Sequence, residues 1–182
     1  MKFGEIVLGG KFGGYEIINK SAEELPQDLA SAFPDVLNKD GYIYTPVWYY
    51  GKQLVNGYNH MMVCNQFKGG LNKVAVAIIN IPPGSVGGKG AKLVELALKA
   101  NLYGDLNAAF EEVLAPPHGL LGVGYKPVAY MGSKMTKGIT HYVLCEADLM
   151  YPGSNVYPVV VAINFFNGIP TLAGIEPLGG IS

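Results

Sequence analysis

Charge is sparse in this chain. Thirteen Lys and Arg stand against 14 Asp and Glu in 182 residues, for a net charge of −1, and the cations form no run or stripe. That excludes nucleic acid as the main partner, because phosphate contacts need clustered Lys and Arg. It also excludes an anionic membrane surface. Cysteine is rarer still, with only Cys64 and Cys145. Two thiols make no disulfide framework, so a reducing, cytoplasmic setting is expected. No apolar stretch approaches the roughly 20 residues of a membrane-spanning helix. The first ten residues do not read as a secretory leader, because Glu5 interrupts a short apolar run.

Catalytic constellations are missing as well. His60 and Cys64 lie four residues apart, as do His141 and Cys145, so each pair falls on one face of a strand. A nucleophile pair would need a third, orienting group, and a structural zinc would need ligand spacings that the chain lacks. Buried thiols and hydrogen-bonded imidazoles are therefore expected. Gly87-Gly88-Lys89-Gly90 lacks the Lys-Ser/Thr ending of a phosphate loop and reads as a connector. His118 follows two prolines and reads as a loop residue. The expectation is a chain that is not an enzyme, with no catalytic residue, no metal and no cofactor.

What the chain does have is internal similarity. Residues 41–64 align without a gap on residues 122–145, and nine of the 24 pairs are identical, among them Gly57/Gly138, His60/His141 and Cys64/Cys145. The match extends upstream at an offset of 77 and downstream at 84, so length varies between elements, where loops tolerate it. Each half reads as a helix followed by strands. Ser21 and Glu24 form a capping box, and Leu25, Leu29, Phe33 and Val36 recur at helical spacing. Pro34 predicts a kink or stop near Phe33. Leu102, Leu106, Phe110 and Val113 form the matching stripe.

Strands are expected at 42–50, 58–67, 73–81 and 91–98, and again at 122–131, 139–149, 156–166 and 171–178. The fold class expected is α+β: two tandem units, 1–99 and 100–182, each one helix packed on an antiparallel sheet of about four strands. Tyr42, Tyr44, Trp48, Tyr49, Tyr50 and Tyr58 crowd the first hairpin, and an exposed aromatic patch there would mark a protein interface.

The five residues Gln53-Leu54-Val55-Asn56-Gly57 lie at the tip of that hairpin. The chain resembles the cystatins there, the stefin branch most closely, through their Gln-x-Val-x-Gly loop. Gly13-Gly14 resembles the glycine of the stefin N-terminal trunk. Ile81-Pro82-Pro83-Gly84 stands where stefins carry a second hairpin loop, and Tyr58-Asn59-His60 follows the first loop much as Thr-Asn-Tyr does in the family. The resemblance covers residues 9–98. The matching segment of the second half, Lys134-Met135-Thr136-Lys137-Gly138, keeps only the glycine. The resemblance implies a protein partner, a papain-like cysteine protease, inhibited reversibly by a wedge of three apolar edges. Gly13, Gly14, Gln53, Leu54, Val55, Asn56, Gly57, Pro82, Pro83 and Gly84 would carry the contact. The alternative is a non-inhibitory cystatin-like module that binds another protein or forms a homodimer.

Overall fold

The structure is a computed structural model and describes residues 15–115, 122–149 and 155–178. Gly13, Gly14, the rest of the N-terminal trunk and His118 lie outside the described residues. The chain divides into two compact units between Leu98 and Lys99.

In the first unit, β1 (Glu16–Ser21) leads into a short 3-10 turn and α1 (Gln27–Leu37). Four strands follow: β2 (Ile43–Val55), β3 (Gly57–Lys68), β4 (Leu71–Ile81) and β5 (Lys92–Ala97). They form one antiparallel sheet in the order β1-β2-β3-β4-β5. The second unit has α2 (Gly104–Leu114), then β6 (Val123–Thr136), β7 (Gly138–Leu149), β8 (Tyr157–Phe166) and β9 (Ile169–Pro177). Its sheet runs β6-β7-β8-β9.

The α+β expectation of two helix-on-sheet units of about four strands each is overturned. Strands in sheets of five and four make up most of the described residues, among which only two α-helices are present. Each helix is 11 residues long, whereas β2 and β6 run for 13 and 14. The physical reason is visible in the central strands. Met62, Cys64, Ala75, Ala77 and Ile79 are buried in a cluster with Leu29, Phe33 and Leu37 of α1. The alternate residues Met61, Val63, Val74, Val76 and Ile78 are buried too. Strands apolar on both faces show no polar alternation and carry most of the core themselves.

β-Bulges explain why the strands outlast their expected ends. The β2–β3 register shifts between Pro46 and Trp48 and again between Tyr49 and Gly51. Each shift inserts one unpaired residue and bends the strand, so β2 carries on through Gly51-Lys52-Gln53. In β6 the shifts fall between Pro127 and Ala129 and between Tyr130 and Gly132, 81 residues on.

The helix start differs from expectation. Ser21 accepts a hydrogen bond from Glu23 N, which caps the 3-10 turn, while α1 begins after Pro26 without a side-chain cap. Pro34 neither stops nor ends α1, which runs on to Leu37. Burial of Phe33 and Leu37 on either side offsets the hydrogen bond that proline removes. The glycine-rich segment 87–90 is docked, not loose. Gly87 N donates to Asp28 Oδ1 at 3.0 Å, and a Cβ on Gly88 would lie 2.4 Å from Asp28 O.

Candidate functional site

The candidate site is one end of the first sheet, built by the β2–β3 turn and the chain that leaves β4. The Gln53–Gly57 segment is not a free loop. The ladder continues to the last pair, Val55 opposite Gly57, with Asn56 alone at the turn. Gly57 has φ +80°, and a Cβ there would lie 2.1 Å from Ile81 O and 2.9 Å from Pro82 Cα. The tip is therefore pressed backbone to backbone against the second loop, an approach only glycine permits.

Three amides lock the strands behind it. Asn80 Nδ2 donates to Asn59 Oδ1 at 3.0 Å and to Asn56 O at 3.3 Å, and Asn59 Nδ2 donates to Gln53 Oε1 at 3.3 Å. Gln53 is thus buried and positions the hairpin instead of facing solvent. Strand alternation turns its neighbour Leu54 the other way, where it is 70 % exposed. Pro82 is half-buried, while Pro83 and Gly84 are exposed. Leu54–Tyr58, Ile81–Ser85, Lys52, His60, Tyr49 and the start of α1 line a cleft of about 570 Å³.

The structure brings together Gln53 to Gly57 and Pro82 to Gly84 from the expected set. Tyr58, expected in the aromatic hairpin but not in the contact set, joins that set here: it pairs with Leu54 on one side and Ile81 on the other and is 39 % exposed. Its place directly opposite Leu54 across the turn was the available signal. Lys52 Nζ sits 4.9 Å from the Tyr58 ring centroid and 3.8 Å from Glu16 Oε2.

Of the six hairpin aromatics, Tyr58 is exposed, Tyr42 and Trp48 are half-buried, and Tyr44, Tyr49 and Tyr50 are buried; Trp48 Nε1 donates to Asn19 Oδ1 at 3.2 Å.

His60 lies behind the cleft, 2.7 Å from the Tyr49 hydroxyl through Nδ1. Burial, reinforced by the Lys52 charge, pushes its pKa from 6.5 down to about 4, while burial raises that of Tyr49. The phenol therefore keeps its proton, the imidazole stays neutral, and one hydrogen bond joins them, with the donor set by the imidazole tautomer. Tyr130 and His141 are 2.8 Å apart in the same way, and burial lowers the His141 pKa. Neither histidine is paired with its cysteine. Cys64 Sγ contacts Ala75 O at 3.6 Å, Cys145 Sγ contacts Val143 O at 3.7 Å, and burial pushes both thiols up, Cys64 to about 12. Thiols held protonated are poor nucleophiles.

The His60 shift has a definite sign in stability. The unfolded chain takes up this proton near pH 6.5 and the folded chain only near pH 4, so stability is lost as pH falls through that window. The loss is on the order of 3 kcal/mol when complete. Urea unfolding at pH 7 and pH 4.5 should show a smaller acid loss for His60→Gln than for the unmodified chain. Equal losses would remove His60 from the account.

The chain matches no protein-family model, no curated protein and no solved structure. Among the described residues there is no group of three or more His, Cys, Asp and Glu that could hold a metal ion. Among them, no helix is long and apolar enough to cross a membrane.

Proposed function

We propose that the chain is a protein-binding module of cystatin-like character that reversibly inhibits papain-like cysteine proteases through the end of its first sheet. The observation that carries this reading is the exposed Leu54 and Tyr58 pair, held beside Pro82-Pro83-Gly84 by the close approach at Gly57. A narrow apolar tip already rigid before contact loses little entropy on binding and can fill a cleft as a hot spot. The stefin-like residues Gln53, Val55 and Gly57 support the protease as the partner class. The two halves are read as copies of one unit, supported by the nine identities and by bulges at matching positions. The buried free thiols suit a reducing, cytoplasmic setting.

A second reading is a non-inhibitory interaction module. It is favoured by one observation: a Cβ on Gly138 would lie 2.1 Å from Phe165 O, so the glycine is needed where the rest of the motif is gone. Self-association through an aromatic patch loses support because Tyr44, Tyr49 and Tyr50 are buried.

Titration of active papain with the purified chain separates the two readings. Residual peptidase activity falling linearly to an equivalence point is the expected result. Full activity at micromolar excess of the chain would overturn the inhibitor reading.

A further inference from the structure

The two sheets differ by one strand. The helices match at an offset of 77, Gln27–Leu37 with Gly104–Leu114, and the same offset carries β1 (Glu16–Ser21) onto residues 93–98. Nearly all of those residues are already in use, because β5 (Lys92–Ala97) pairs antiparallel with β4 in the first sheet. The chain then passes the start of β6, where Ala100 N donates to Pro127 O at 2.9 Å, and enters α2. Among the described residues β6 pairs with β7 alone, so the second sheet ends at β6 where the first goes on from β2 to β1.

The middle of β6 is nevertheless withdrawn from water. Gly132 is buried, and a glycine has only main chain to bury. Gly51, at the matching position of β2, is buried with Ile17 of β1 directly opposite. Val128, Ala129 and Met131 are buried as well. Buried main-chain groups require hydrogen-bond partners, and an open edge of this length invites pairing with another strand. The sequence holds a second copy of the strand that β6 lacks. Lys2-Phe3-Gly4-Glu5-Ile6-Val7 repeats Lys11-Phe12-Gly13 and Glu16-Ile17-Ile18, with Gly14-Tyr15 as the insertion and Val7 for Ile18 as the one change. Residues 2–7 lie outside the described residues, and the likeness is one of sequence.

We propose that residues 5–10 of the same chain add to the outer edge of β6 as an antiparallel fifth strand, in the register that β1 holds on β2. Glu16 opposite Lys52 and Ile17 opposite Gly51 then become Glu5 opposite Ser133 and Ile6 opposite Gly132. The edge is suited to this occupant. β2 and β6 shift register at matching places, so they offer their outer backbone groups in the same pattern. Main-chain hydrogen bonds carry the affinity in strand addition, and the alternation of side chains fixes the register. β1 itself is not free to fill the place, because it is paired with β2. The segment just before α2 thus completes the first sheet, and the N-terminal segment completes the second.

The test uses the full chain. Glu5→Cys combined with Ser133→Cys is expected to close an intrachain disulfide under mild oxidation, because residues directly opposite in a ladder fall within the Cα separation of about 4.4–6.8 Å that the bond spans. Glu5→Cys combined with Lys52→Cys is the control and should give no such bond, since Glu16 already stands opposite Lys52. Cys64 and Cys145 are buried and do not compete. In a second measurement, removal of residues 1–8 should speed amide exchange at 129–132 by about tenfold or more and leave 48–51 unchanged. A bond that forms only between chains would make a second copy the occupant and overturn the proposal. Absence of the intrachain bond overturns it too, as does equal exchange at 129–132 with and without residues 1–8. If the shortened chain unfolds, the disulfide result alone decides.

Discussion

Gly57→Ala is expected to destabilise the first unit by about 3 kcal/mol or more. Two costs combine. A left-handed φ costs a side-chain-bearing residue about 1–2 kcal/mol, and the new Cβ would lie 2.1 Å from Ile81 O, where backbone must move. Forced overpacking of this kind costs typically about 1–3 kcal/mol. At about 2–4 °C per kcal/mol for a chain of this size, the melting temperature should fall by about 10 °C. Gly84→Ala is the control. Gly84 also has positive φ, +69°, but nothing lies within 4 Å of its added Cβ, so only the smaller backbone cost applies. Gly138→Ala should behave like Gly57→Ala. Equal melting temperatures for the Gly57 and Gly84 variants would mean that the two loops are not in contact.

The second large effect is on binding. Val55→Asp should raise the concentration of chain needed to inhibit papain by about 30-fold or more. Inserting a charge into an apolar contact leaves it desolvated and unpaired, and hot-spot changes of this kind cost about 2 kcal/mol or more. At about 1.4 kcal/mol per tenfold, that is about 30-fold or more. Val55 stands at the turn, half-buried, and Leu54 beside it is mostly exposed, so Leu54→Asp should weaken inhibition with no loss of melting temperature. Inhibition by Val55→Asp at the unmodified level would move the partner's footprint away from this tip.

Much of this was legible in the sequence, and the failures have physical causes. The helical stripe Leu25, Leu29, Phe33 and Val36 and the central apolar runs point to the core, although Leu25 and Val36 are only partly buried and Leu37 joins Leu29 and Phe33 of α1 in the buried cluster. Asn56-Gly57 marks its turn because the positive φ at Gly57 demands glycine. β1 was not legible, because Glu16–Ser21 is largely polar and contains Asn19 at φ +50° beside a register shift, so no period-two pattern survives. The far half of β2 was hidden by Gly51, Lys52 and Gln53, which read as a turn yet pair across the ladder once the bulges rephase the strand. Gln53 is expected among the contact residues, yet it is buried and accepts a hydrogen bond from Asn59.

The central claim is that the end of the first sheet is where a partner docks. Amide hydrogen exchange, followed residue by residue with and without excess papain, tests this most directly. The account predicts slowed exchange concentrated at 54–58 and 82–85. Slowing confined to the β5 edge or to α1, or no slowing at any position, would contradict it.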